Sequence, residues 1–175
     1  MAATAGSGKS FVVWGISAFV VLAIAVVAAI AGTSKFTAPA RAASEFLSAH
    51  ARQEGVKTTA SGLQYEVLAA GEGDSPRPDD LVMVHYEGRL TDGTVFDSSH
   101  ARGEPAVFGV SDVIPGWTEG LQLMRPGSKY RLTVPPRLGY GARGAGGAIP
   151  PNAVLVFDVE LLAIAPRQDE AAPQG

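Results

Sequence analysis

Hydrophobic and polar positions along the chain fall into two regimes. Phe11 to Ala31 is an unbroken run of 21 residues without a charge. As a helix it is about 31 Å long, the thickness of a bilayer's hydrocarbon core. Its length predicts a transmembrane signal anchor, with Trp14 near one end where an interfacial aromatic is favourable. Its close, Ala29-Ile30-Ala31, also fits a signal peptide cut at that point, although a cleaved apolar segment is ordinarily shorter.

Further on, the pattern shortens and alternates. Leu63, Tyr65 and Val67 alternate with Gln64 and Glu66, the period of a half-buried strand. Leu81 to Leu90 puts Val82, Val84 and Tyr86 on one face, and Asp92-Gly93 predicts a hairpin turn back through Val95 and Phe96. Pro105 to Val110, Tyr130 to Val134 and Val154 to Ile164 read as further strands. One stretch has helical period instead. Pro115 suits a first helical position. Trp117, Leu121 and Met124 follow at i, i+4 and i+7, and Arg125-Pro126-Gly127 stops the helix. Ala43, Phe46, Leu47 and His50 predict a second, amphipathic helix ended by Gly55, with His50 a surface residue on it.

Loops join these strands, with no strand–helix–strand series. The expected class is α+β: a five- to six-stranded curved antiparallel sheet wrapped around one short helix, preceded by a single N-terminal transmembrane or signal helix. The predicted division is an N-terminal tail (1–10), the apolar segment (11–31), a tether with the amphipathic helix (32–56), the folded domain (57–165) and a polar, disordered tail (166–175).

Composition narrows the chemistry. The 175 residues carry a net charge of −3 and no Cys. Nucleic acid is therefore not expected as a partner, and thiol chemistry and disulfides are excluded. The three His are scattered, so a metal site is not expected. Gly6-Ser7-Gly8-Lys9-Ser10 imitates the end of a phosphate-binding loop but has no strand before it. No Ser/His/acid set lies in a nucleophile motif. Six aromatics do gather near the central helix: Tyr86, Phe96, Phe108, Trp117, Tyr140 and Phe157. They are equally compatible with a small-ligand pocket and with plain core filling. Asp97 is the acid beside them, and turn chemistry alone accounts for an Asp at a strand end.

Val84-His85-Tyr86-Glu87-Gly88, Asp92-Gly93-Thr94-Val95-Phe96-Asp97-Ser98-Ser99, Val113-Ile114-Pro115-Gly116-Trp117, Leu138-Gly139-Tyr140-Gly141, Ile149-Pro150-Pro151 and Leu155 to Leu162 resemble, in order, the motifs of an FKBP-type peptidyl-prolyl cis-trans isomerase. The likeness covers about residues 57–165. Gly55-Val56-Lys57 and the run Thr59 to Tyr65 further resemble the bacterial, macrophage-infectivity-potentiator-like branch, whose members often act outside the cytoplasm.

The resemblance implies a rotamase that assists the folding of exported proteins and needs no metal or other cofactor. Its substrates would be proline-containing segments of unfolded or exported chains, with macrolide-type molecules as further pocket ligands. Tyr86, Asp97 and Tyr140 would be the catalytic residues. Phe96, Val113, Ile114, Trp117, Ile149 and Phe157 would bind substrate, with Trp117 as the floor and the Ile114 N–H as a second donor. Ala106 stands where many members place an aromatic wall residue, and Gly144 to Ala148 is nearly all Gly and Ala. With an anchor at 11–31, the expected location is the inner membrane with the domain in the periplasm, or the periplasm itself if the segment is cut. The alternative function is a prolyl-peptide-binding chaperone or adaptor without required turnover, and a third is a structural partner acting through the tether helix.

Overall fold

The computed structural model describes residues 38–165. The readings for residues 1–31, for the first residues of the tether and for the tail 166–175 lie outside the described residues. Among the described residues, no helix is long and apolar enough to cross a membrane.

The sheet is organised on β3, Leu81–Leu90. Val82 and Val84 are fully buried and Tyr86 nearly so, as the alternation predicted. β3 pairs along its whole length with the last strand, β7 (Leu155–Ala165). Its other edge is shared: Glu87 to Arg89 pair with β4 (Val95–Ser98), and Leu81 to Val84 with β5 (Ala106–Gly109). The β3–β4 turn forms as expected. Gly93 takes φ 89°, a conformation that strains any side chain, and the Asp92 carboxylate accepts the Thr94 N–H at 2.9 Å.

β1 (Lys57–Thr58), β2 (Gln64–Ala69) and β6 (Lys129–Val134) complete the order β1-β2-β6-β7-β3-β4, and every pairing is antiparallel. Among the described residues the sheet has seven strands, not five or six. The addition is β1, Lys57–Thr58, which folds back on Tyr65 and Gln64. Two residues are too few to show a period.

The central helix, α3, spans Pro115–Gln122 with Pro in its first turn. It sits against the sheet's inner face through Gly116, Trp117, Gly120 and Leu121, all buried. The two glycines set the distance of approach. A Cβ on Gly116 would lie 2.6 Å from Val134 Cγ1, and one on Gly120 2.6 Å from Leu132 Cδ1. Met124 is fully buried as expected, but it lies past the helix end.

Among the described residues two further α-helices form: a short one that the sequence did not predict, and the amphipathic helix expected in the tether. α2 is a short turn, Ser99–Arg102, capped by Ser98 Oγ accepting the Ala101 N–H. It lies where the chain crosses from β4 to β5. The tether helix, α1 (38–50), lies on the domain. The Gln64 amide donates to Leu47 O at 2.8 Å, and Gln64 Oε1 bonds His50 Nδ1 at 2.7 Å. His50 stacks on Phe46 and is 9% exposed, so it is not the surface residue expected of it.

The strand register explains this docking. Gln64, Thr133 and Val156 are aligned neighbours across β2, β6 and β7, and they point to the face opposite α3. All three are buried, on the face that α1 crosses. The next row on that face is ionic: Asp158 accepts from Arg131 at 2.7 Å and from Arg89 at 3.1 Å. Burial raises the Asp158 pKa, but the two guanidiniums outweigh it and hold the carboxyl below its ordinary value.

Candidate functional site

Inner-face residues at one end of the sheet and the start of α3 enclose a cavity of about 490 Å³. Trp117 closes it from below and is 4% exposed. Three rings meet it edge-on: Tyr86 and Phe157 at centroid distances of 5.2 Å, and Phe108 at 5.7 Å. Phe96 stands edge-on to Phe157 at 5.6 Å. Such perpendicular contacts place the positive ring edge on the negative face and fix the rings in position. Gly88 is required beneath them. A Cβ there would lie 2.7 Å from Phe157 and 2.8 Å from Phe96.

Val113 and Ile114 line the cavity at the entrance to α3. Because Ile114 precedes the helix, its N–H takes no part in the helical ladder. Tyr140 lines the opposite rim, 41% exposed, and its hydroxyl has no partner among the described residues. Ile149 does not line this cavity. It is 8% exposed within the core cluster and bonded to Ala145 at the base of the Gly-rich loop. Ala106 pairs with Val84 on β3, and Phe108, two residues on, supplies the aromatic wall on that side.

The cavity has one polar edge. Tyr86 donates its hydroxyl to Asp97 Oδ2 at 2.5 Å. Arg102 donates to Asp97 Oδ1 at 2.5 Å and to the Tyr86 oxygen at 2.9 Å, with its guanidinium 5.4 Å from the Tyr86 ring centroid. Partial burial raises the Asp97 pKa, but the Tyr86 and Arg102 hydrogen bonds outweigh it and hold the carboxyl below its ordinary value. Burial, and then the bond to Asp97, push the Tyr86 phenol up. Asp97 is thus an anion whose oxygens are already engaged, a poor general base. Sequence reasoning missed Arg102 and the Asp112 carboxylate that also lines the cavity. Arg102 reaches the site through α2, whose position depends on Ser99. The Ser99 hydroxyl accepts the Tyr86 N–H at 2.8 Å and donates to Tyr86 O at 3.2 Å.

Residues 73–162 match the sequence model of the FKBP-type peptidyl-prolyl cis-trans isomerase. The chain belongs to that family. Residues 24–67 match the domain found amino-terminal to FKBP-type isomerases, so the tether with its amphipathic helix (32–56) lies inside a segment that has a family counterpart of its own. The chain is 62% identical over 120 residues to the FKBP-type isomerase FkpA of Aeromonas hydrophila, covering 69% of this chain and 44% of that one. It is 57% identical over 130 residues to the FKBP-type 22 kDa isomerase of Escherichia coli K12, covering 74% of this chain and 63% of the other. It therefore spans only 44% to 63% of the length of these curated relatives. The crystal structure of FkpA from Escherichia coli superposes with a TM-score of 0.72 at 43% identity, covering 91% of this chain and 74% of that one. A Pseudomonas syringae isomerase structure gives 0.70 at 40% identity, covering 74% and 95%.

Proposed function

We propose that this chain is a peptidyl-prolyl cis-trans isomerase that accelerates X–Pro rotation in proline-containing segments of unfolded or exported proteins. The observation that carries this reading is the cavity itself: an aromatic cage around Trp117 with the Tyr140 hydroxyl, unpaired among the described residues, at its rim. The uncatalysed barrier, about 18–20 kcal/mol, comes from the double-bond character of the C–N bond. Rotation breaks no covalent bond and needs no nucleophile. A twisted amide loses resonance, so its carbonyl carries less charge and its nitrogen becomes more basic. An apolar cavity favours that state over the planar amide, which is differential binding of the transition state. A ~10⁴-fold acceleration needs only about 5–6 kcal/mol.

In this reading the proline ring packs on Trp117, between Phe96, Val113, Ile114 and Phe157. Tyr140 and the Ile114 N–H donate to substrate carbonyls. Asp97, held by Tyr86 and Arg102, sets the field beside the twisting bond without taking a proton. Ile149 contributes from behind, by seating the loop that carries Tyr140. The same cavity is offered to macrolide-type ligands. The uncharged segment 11–31 supports anchorage in the inner membrane, with the domain in the periplasm.

Isomerisation of a Leu-Pro or Phe-Pro peptide by the full chain tests this. The double variant Tyr140→Phe, Asp97→Val is expected to lose about a hundred-fold in kcat/KM, roughly the sum of two site interactions. A folded double variant with wild-type kcat/KM contradicts the assignment.

A further inference from the structure

We propose that helix α1 braces the loop that carries Tyr140, so that docking of the N-terminal helix sets the competence of the pocket. This rests on the isomerase reading above. The loop, residues 139–153, is poor in anchors of its own. It contains Gly139, Gly141, Gly144, Gly146 and Gly147, and the last four take positive φ. Glycine loses more conformational freedom on ordering than any other residue, so such a loop is costly to hold in one shape. Its one large buried apolar side chain is Ile149. Its internal stitches are few: the Asn152 N–H to Gly141 O at 2.8 Å, the Gly144 N–H to Tyr140 O at 3.2 Å, the Ala153 N–H to Pro150 O at 3.3 Å, and the Ala145–Ile149 pair at 3.0 Å.

α1 supplies the missing support. Two grooves flank the helix. One, of about 580 Å³, lies between Ala43 and Leu47 on the helix side and Gly141, Ala142 and Asn152 of the loop. The other, of about 260 Å³, lies between Phe46 and Pro150, Pro151 and Asn152. Ala43 and Asn152 border both grooves, so the seam between helix and loop runs through them. Ala43 is 8% exposed there. Asn152 ties directly to Gly141, the neighbour of Tyr140. At its far end the helix is pinned to the sheet through His50 and Gln64, and His50 Nε2 lies 3.7 Å from the Glu66 carboxylate. The path therefore runs from the Gln64 latch along α1 to Asn152 and on to Tyr140. A partner or membrane geometry that lifts α1 would slacken the pocket rim without touching the aromatic cage.

Two variants of the full chain test this: Ala43→Glu, which puts a charge into the seam, and the pair His50→Ala, Gln64→Ala, which removes the latch. Residue-resolved hydrogen exchange is read beside peptide isomerisation. In both, the amides of Gly144, Ala145, Ile149 and Asn152 are expected to exchange about ten-fold faster, while those of β3 and β7 keep their rates. kcat is expected to fall about five-fold with KM nearly constant, because the Trp117 cage stays formed while Tyr140 loses its position. Wild-type loop exchange and wild-type kcat in both variants overturn the brace. So does acceleration spread equally over β3 and β7, which marks general loosening. A wild-type chain without isomerase activity overturns the function proposed above, while the exchange pattern still decides the brace.

Discussion

Replacing Trp117 with alanine is expected to lower the unfolding free energy by about 3–5 kcal/mol and to leave no measurable isomerisation. The side chain is 4% exposed and meets Tyr86, Phe108 and Phe157 edge-on, so its removal leaves those three rings facing a void. The backbone around it has little freedom to collapse. Gly116 and Gly120 on either side already hold α3 hard against β6. The same void removes the floor on which a proline ring packs. Denaturant unfolding, followed by circular dichroism, measures the first effect, and peptide isomerisation the second. Trp117→Phe is expected to recover most of the stability, since a smaller ring still fills the cage. A cost below about 1 kcal/mol for the alanine variant would place Trp117 outside the core that the structure describes.

Gly120→Val is expected to cost about 3 kcal/mol, at the upper end of the range for overpacking. Here Gly120→Ala is the informative control. Its Cβ would meet Leu132 Cδ1 at 2.6 Å, but that atom is the tip of a flexible side chain. Alanine also gains about 1 kcal/mol of helix propensity over glycine, which offsets the strain. Valine adds two γ carbons in the same space and is stiff at χ1, so neither relief is open to it. The large difference between the two variants, measured by denaturant midpoint, is the signature of a close helix–sheet contact. Equal and small effects would mean that α3 has room to slide on β6.

What was legible in the sequence was what repeats locally. β3 showed its alternation through Val82, Val84 and Tyr86. α3 showed its start at Pro115 and its buried face at Trp117 and Leu121. The resemblance then brought Tyr86, Phe96, Asp97, Val113, Ile114, Trp117, Tyr140 and Phe157 together, and the same residues line one cavity. Features that depend on chain return were not legible. α2 has four residues, too few for a period, and so Arg102 gave no sign that it would close on Asp97 and Tyr86. His50 read as a surface residue because its partner, Gln64, lies on a different element. One signal was present and went unused. Val154-Leu155-Val156-Phe157 is a continuous apolar run, the mark of a strand covered on both faces. α3 lies on one of those faces, and α1 crosses the other.

Exchange between the cis and trans forms of a Phe-Pro peptide, followed by NMR with a catalytic amount of the full chain, tests the isomerase reading most directly. Without catalyst the forms interconvert over tens to hundreds of seconds. With the chain present, exchange is expected to shorten to about a second or less, and the Trp117 indole N–H resonance to shift as the ring fills its cage. A Trp117 signal that shifts while the exchange rate stays at its uncatalysed value would contradict the isomerase and leave a prolyl-binding module in its place.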